Sequence, residues 1–132
     1  MKTAVDTSVL LDLLSPDPMV AERSDLALQA GIEDGGLIVC DCVLAELGPA
    51  LSGQAVGEFA RDWQLQFVPG TLEVAELAAR HFAEYLARGG KRGRVVADFL
   101  IGAHAKLLAG RLLTTDSGFR RDYFADLALI VP

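Results

Sequence analysis

The chain has 132 residues, 52% of them hydrophobic and 23% charged, with a formal charge of −6. That length suits one compact domain, residues 1–132, which buries roughly two thirds of its unfolded surface with no need of disulfides or a structural metal. Composition excludes a disordered chain, and no apolar run approaches the roughly 18 residues of a membrane span. The start Met-Lys-Thr-Ala-Val-Asp has neither the apolar stretch nor the cleavage site of a secretory leader, so a cytoplasmic location is expected.

Residues 2–5 alternate weakly and end at Asp6-Thr7-Ser8, after which Val9, Leu10, Leu11, Leu13 and Leu14 recur at helical spacing until Ser15-Pro16. This predicts a buried strand that turns sharply into a short helix. Asp17-Pro18 opens a second helix with an N-cap and an N1 proline, and Gly35-Gly36 closes that region. Leu37 to Cys40 reads as a second interior strand, with Asp41 as cap of the helix that carries Glu46. The two cysteines, Cys40 and Cys42, are expected to share one strand face and to serve core packing.

Beyond Gly48-Pro49 the pattern predicts a helix around residues 54–63 and a short strand at Gln66-Phe67-Val68, with Trp63 before it and Phe67 in it expected as core residues. Thr71 caps a clear amphipathic helix that ends at Gly89-Gly90. A basic, glycine-rich linker, Lys91-Arg92-Gly93-Arg94, leads into a helix from about Val96 to Ala109. Arg111 to Thr114 reads as a strand that reaches Asp116, and Leu127 to Val131 as the last strand. Short apolar strands alternating with helices indicate an α/β domain whose mainly parallel sheet is covered on both faces.

In such sheets ligands bind beyond the carboxyl ends of the strands, where strand order reverses. Asp6 and Asp116 each follow a strand, Glu46 lies about a turn into a helix, and Asp98 lies in a first helical turn. Each alone has an ordinary explanation: an N-cap for Asp6, a turn for Asp116, a dipole-favoured charge for Asp98, a solvated face for Glu46. Together they form a carboxylate cluster that calls for cations, and hard oxygen donors suit Mg²⁺ or Mn²⁺, which bind phosphates and promote their displacement. A bound cation also reverses the local field of an acidic protein, so the net charge of −6 leaves a nucleic-acid partner open.

Four stretches carry a resemblance: Val5-Asp6-Thr7-Ser8-Val9-Leu10, Val43-Leu44-Ala45-Glu46-Leu47, Ala97-Asp98-Phe99-Leu100-Ile101-Gly102-Ala103-His104-Ala105, and Leu113-Thr114-Thr115-Asp116-Ser117-Gly118-Phe119. In this order and spacing they resemble the acidic motifs of PIN-domain nucleases, and the length is similar to that of VapC-type toxins of toxin–antitoxin pairs. The resemblance implies a PIN-like three-layer sandwich around a five-stranded, mainly parallel sheet. It further implies a Mg²⁺- or Mn²⁺-dependent endoribonuclease that leaves 5′-phosphate and 3′-hydroxyl ends. Such a protein is held in check by a small antitoxin protein and is usually a homodimer or part of a toxin–antitoxin hetero-oligomer.

Carried over by position, Asp6, Glu46, Asp98 and Asp116 become catalytic metal ligands for one or two ions, and Thr7, Ser8 and Thr115 help orient them. Many members have Asn at the position of Ser8, whose hydroxyl can still donate a hydrogen bond to Asp6. Lys91, Arg92 and Arg94 are candidate phosphate contacts along an RNA path, with Arg111, Arg120 and Arg121 near Asp116 as further basic residues; a solvated surface explains either group equally. His104 is expected to pack in the interior and His81 to meet solvent or Glu84. Two other readings stand beside this one: a catalytically silent protein-binding module of the same fold, and a phosphatase using Asp6 as nucleophile. The second lacks the Asp expected two residues later, where Ser8 stands.

Overall fold

A computed structural model describes residues 1–93 and 95–132. Its sheet has five strands, β1 (Thr3–Val5), β2 (Leu37–Val39), β3 (Leu65–Phe67), β4 (Arg111–Leu113) and β5 (Ala128–Ile130), in the order β3-β2-β1-β4-β5. Every pairing is parallel. Parallel neighbours need long crossovers, and helices supply them: α1 (Thr7–Leu13) and α2 (Pro18–Glu33) between β1 and β2, α3 (Asp41–Leu47) and α4 (Val56–Asp62) between β2 and β3. The long crossover from β3 to β4 carries α5 (Leu72–Ala87) and α6 (Val95–Leu108), and α7 (Gly118–Tyr123) precedes β5. This is the α/β architecture expected from the sequence, with the five-stranded parallel sheet that the resemblance implied.

Burial follows strand position. All three residues of β1 and of β2 are buried, whereas the edge strands β3 and β5 expose most of theirs. Phe67 is therefore not the core residue the sequence suggested: it is half exposed, because β3 has a neighbour on one side only. Trp63 is partly buried against the core. Val9, Leu10, Leu28, Val43, Leu47, Phe99, Leu112 and Phe124 form the centre of the core, and full burial of each large apolar side chain is worth about 1.5–3 kcal/mol.

Two helix starts agree with the sequence signals, whereas α3 takes Cys40 and not Asp41 as its N-cap, with Asp41 already in the first turn. The carboxylate of Asp17 accepts from the N–H of Met19 at 3.0 Å, and the hydroxyl of Thr71 accepts from Val74 N–H at 3.2 Å. The turn from α2 into β2 needs glycine: Gly35 has φ of +137°, and a Cβ there would meet the Met1 carbonyl oxygen at 2.4 Å. The second strand is shorter than expected. It stops at Val39, Cys40 is the N-cap of α3 and Cys42 already lies on that helix, half-buried, so the two thiols do not share a strand face. Helix α7, which the sequence analysis did not identify, fills the segment after Asp116.

Two connections run in opposite directions from the middle of the sheet. From β1 the chain moves outward to β2 and β3, and it returns to the other side of β1 to add β4 and β5. The carboxyl ends of β1 and β4 thus border the point of reversal. The N–H of Asp6 extends the ladder by donating to the Leu113 carbonyl at 2.9 Å, and Thr114 N–H does the same to Ile130 at 3.0 Å. Among the described residues no helix is long and apolar enough to cross a membrane.

Candidate functional site

Beyond those strand ends lies a pocket of about 510 Å³ lined by Asp6, Thr7, Ser8, Leu11, Glu46, Asp98, Asp116 and Arg120. All four sequence-predicted acids are among them. Asp6 arrives from β1, Glu46 from the last turn of α3, Asp98 from the first turn of α6 and Asp116 from the loop after β4.

Asp6 has the backbone of an N-cap, yet its side chain makes no capping bond. Its Oδ2 instead accepts from Ser8 Oγ at 2.9 Å, Thr114 Oγ1 at 2.7 Å and Arg120 Nη1 at 3.1 Å. A carboxylate that only capped a helix would turn back onto the first N–H groups, so the ordinary reading of Asp6 does not describe this geometry. Thr7, the next residue, donates from Oγ1 to Glu46 Oε1 at 2.7 Å and ties α1 to α3 across the pocket mouth. Thr115 acts through its backbone, whose N–H donates to Ser8 Oγ at 3.2 Å.

Two residues of the site were not singled out as ligand-orienting groups from the sequence. Thr114 is fully buried; besides donating to Asp6, its Oγ1 accepts from Asp116 N–H at 3.0 Å and from Arg120 Nη1 at 3.2 Å. Arg120, only 1% exposed, reaches Asp6 with Nη1 and Asp98 Oδ1 with Nη2 at 3.4 Å, and Nη1 also faces the Asp116 carbonyl oxygen at 3.2 Å. It was grouped with residues of a possible RNA path; the structure turns it inward instead, because α7 points its side chain back at the strand ends. No helical spacing links it to Asp116, which lies in the loop before α7.

The electrostatics agree with a gathered cluster. Burial pushes the Asp98 carboxyl above its ordinary value of 3.8, the Arg120 guanidinium pulls it back, and the charges of Asp6, Glu46 and Asp116 push it up again. Asp6 is buried, while Glu46 and Asp116 are exposed and have room to turn. As the side chains stand, no three His, Cys, Asp or Glu residues among the described ones are spaced to grip one metal ion. The donor set nonetheless fits a hard divalent cation in kind: four carboxylates share one pocket, and the two exposed ones can close on an ion that the two buried or half-buried ones already face.

The basic linker stands apart. Lys91 and Arg92 are exposed, the Lys91 backbone is held by the Tyr85 hydroxyl at 3.2 Å, and neither residue is among the described residues that line the acidic pocket. Arg94 lies outside the described residues. His104 is buried as expected, with Nε2 2.8 Å from the Val68 carbonyl oxygen, and burial lowers its pKa. His81 sits 3.4 Å from Glu84 and edge-on to Phe124. A second cavity of about 460 Å³, lined by Cys40, Cys42, Thr71, Leu100 and His104 among others, is mostly apolar and shares none of the four acids. Burial pushes the Cys40 thiol up to about 11, which leaves it unreactive at neutral pH.

Comparison with solved structures finds the same fold along almost the whole chain. VapBC2 from Rickettsia felis bound to a DNA fragment from its promoter matches with a TM-score of 0.71 at 17% identity, covering 100% of this chain and 99% of that one. FitAcB from Neisseria gonorrhoeae gives 0.66 at 24%, covering 97% and 96%. Mycobacterium tuberculosis VapC20, a toxin that cleaves the sarcin–ricin loop, gives 0.61 at 17%, covering 96% and 99%. No curated protein matches the sequence. The profile of the PIN domain matches residues 3–124, a span that includes all four acids, and the chain therefore belongs to the PIN domain family.

Proposed function

We propose that the chain, one domain over residues 1–132, is a Mg²⁺- or Mn²⁺-dependent endoribonuclease, the toxin of a type II toxin–antitoxin system acting in the cytoplasm. The observation that carries this reading is the meeting of Asp6, Glu46, Asp98 and Asp116, from four distant segments, in one pocket at the strand-order reversal. Membership of the PIN domain family and likeness in fold to VapBC proteins support it.

In this reading the four acids hold the divalent ion. When bound, that ion supplies Lewis acidity for in-line displacement at a phosphodiester and makes water a competent nucleophile near neutral pH. The remaining work belongs to the protein. Ser8 and Thr114 fix one oxygen of Asp6, Thr7 aims Glu46, and the N–H of Thr115 sets the Ser8 hydroxyl. Leu11 lends the pocket an apolar wall on one side. Lys91, Arg92 and Arg94 contact RNA phosphates, and the products carry 5′-phosphate and 3′-hydroxyl ends. A small antitoxin protein covers the toxin, which forms a homodimer or a toxin–antitoxin hetero-oligomer; relatives in fold were solved as VapBC assemblies, some on DNA.

The test is cleavage of an RNA pool by the wild type, Asp6→Asn and Asp98→Asn with Mg²⁺, Mn²⁺ or EDTA. The wild type should cut only with metal, and each substitution should lower the rate by about 10²-fold or more, the scale of losing one preorganised charge at a reacting centre. Equal cutting by all three, or cutting in EDTA, would remove this assignment.

A further inference from the structure

Arg120 is the one cation that lines the acidic pocket among the described residues, and it is built in rather than draped over the surface. Its guanidinium spans Asp6 and Asp98, the two acids with least freedom, and Nη1 is further held by the Thr114 hydroxyl and the Asp116 carbonyl oxygen. Two of these four acceptors, Asp6 and Thr114, stand directly at the ends of β1 and β4 and a third, Asp116, in the loop after β4, so the side chain is anchored to the pocket floor.

We infer that Arg120 is a positioning residue that takes the place of one cation: it holds Asp6 and Asp98 together before any metal arrives and leaves room for a single divalent ion. This rests on the reading that the four acids bind a divalent cation. Four ionised carboxylates in one pocket repel one another, and without an internal countercharge the buried Asp6 and half-buried Asp98 would depend on a bound ion to stay gathered. The guanidinium supplies that charge with a fixed fork of donors, which suits two carboxylates at once. Among the described residues no arginine donates to the carboxylates of Glu46 or Asp116, and both are exposed, so they are the acids left to draw in the ion. Arg120 occupies Oδ2 of Asp6 and Oδ1 of Asp98, which leaves one oxygen of each acid to join Glu46 and Asp116 around a single divalent ion.

The wild type and Arg120→Gln, which keeps hydrogen-bond donors and removes the charge, are compared by Mn²⁺ titration with electron paramagnetic resonance and by thermal midpoint in EDTA and in saturating Mn²⁺. The wild type should bind one Mn²⁺ per chain. Arg120→Gln should melt lower in EDTA and gain about twice the wild-type rise in Tm from Mn²⁺, since an ion that binds only the folded state replaces the missing charge. A variant that folds only with Mn²⁺ also supports the inference. Two ions per wild-type chain, or equal gains in both proteins, would overturn it while leaving the metal reading intact. If neither protein binds Mn²⁺, both fall; if Arg120→Gln folds in neither condition, the wild-type count decides, one ion in favour and two against.

Discussion

Strand β4 has an arginine near each end, and the two do opposite things. Arg111 opens the strand at the amino edge of the sheet, where Nη1 donates to the Asp34 carboxylate and Nη2 to the Met1 carbonyl oxygen. Asp34 is 64% exposed there, so water and salt compete for the pair. Arg120, nine residues further, pairs with an Asp6 that is 6% exposed. In both guanidinium groups the buried Nε has no hydrogen-bond partner among the described residues, so it is depth, not completeness of bonding, that separates them. The amino edge is stapled shut by a surface contact, while the carboxyl edge is held open around an internal charge.

Three substitutions sharpen that contrast. Arg120→Met, measured by denaturant unfolding without metal, should cost about 3–5 kcal/mol, because Asp6 is left charged and buried with no cation. Thr114→Val should cost about 1–3 kcal/mol by the same measurement, since Asp6 loses a donor and the Asp116 N–H an acceptor at a hydroxyl that is itself fully buried. Arg111→Gln should have the smallest effect, a loss that shrinks with added salt. Its hydrogen bond and charge hold the Asp34 carboxyl below 3.8 in the fold, so the contribution is present above that pH and is lost as pH falls below it. The thermal midpoints of wild type and Arg111→Gln should therefore converge in acid. A cost for Arg111→Gln as large as that for Arg120→Met would break the comparison.

The contrast also marks what a sequence can and cannot disclose. Asp6 and Asp116 were legible because a short apolar run followed at once by an acid is a strand end, and strand ends in a parallel sheet point at one crevice. Glu46 and Asp98 were legible from their places on the helices α3 and α6. Arg120 was not: an arginine beside Arg121 reads as solvated surface, and Ser117-Gly118 reads as a turn, which hides the single turn of helix that aims its side chain inward. Thr114 looked like the last residue of a strand, and only the register of β4 against β1 brings its hydroxyl to Asp6. Phe67 failed in the other direction, since local pattern does not tell an edge strand from a central one.

The bond between Arg120 and Asp6 closes a loop of 114 residues. Proteins are made from the amino end, and contacts this distant in sequence form only when both partners exist. A nascent chain that has already delivered Asp6, Glu46 and Asp98 therefore still lacks the strand β4 that lines them up and the arginine that holds them. The pocket is complete only once β4 and α7 have both been made, so synthesis must pass Arg120 before the four acids can act as one.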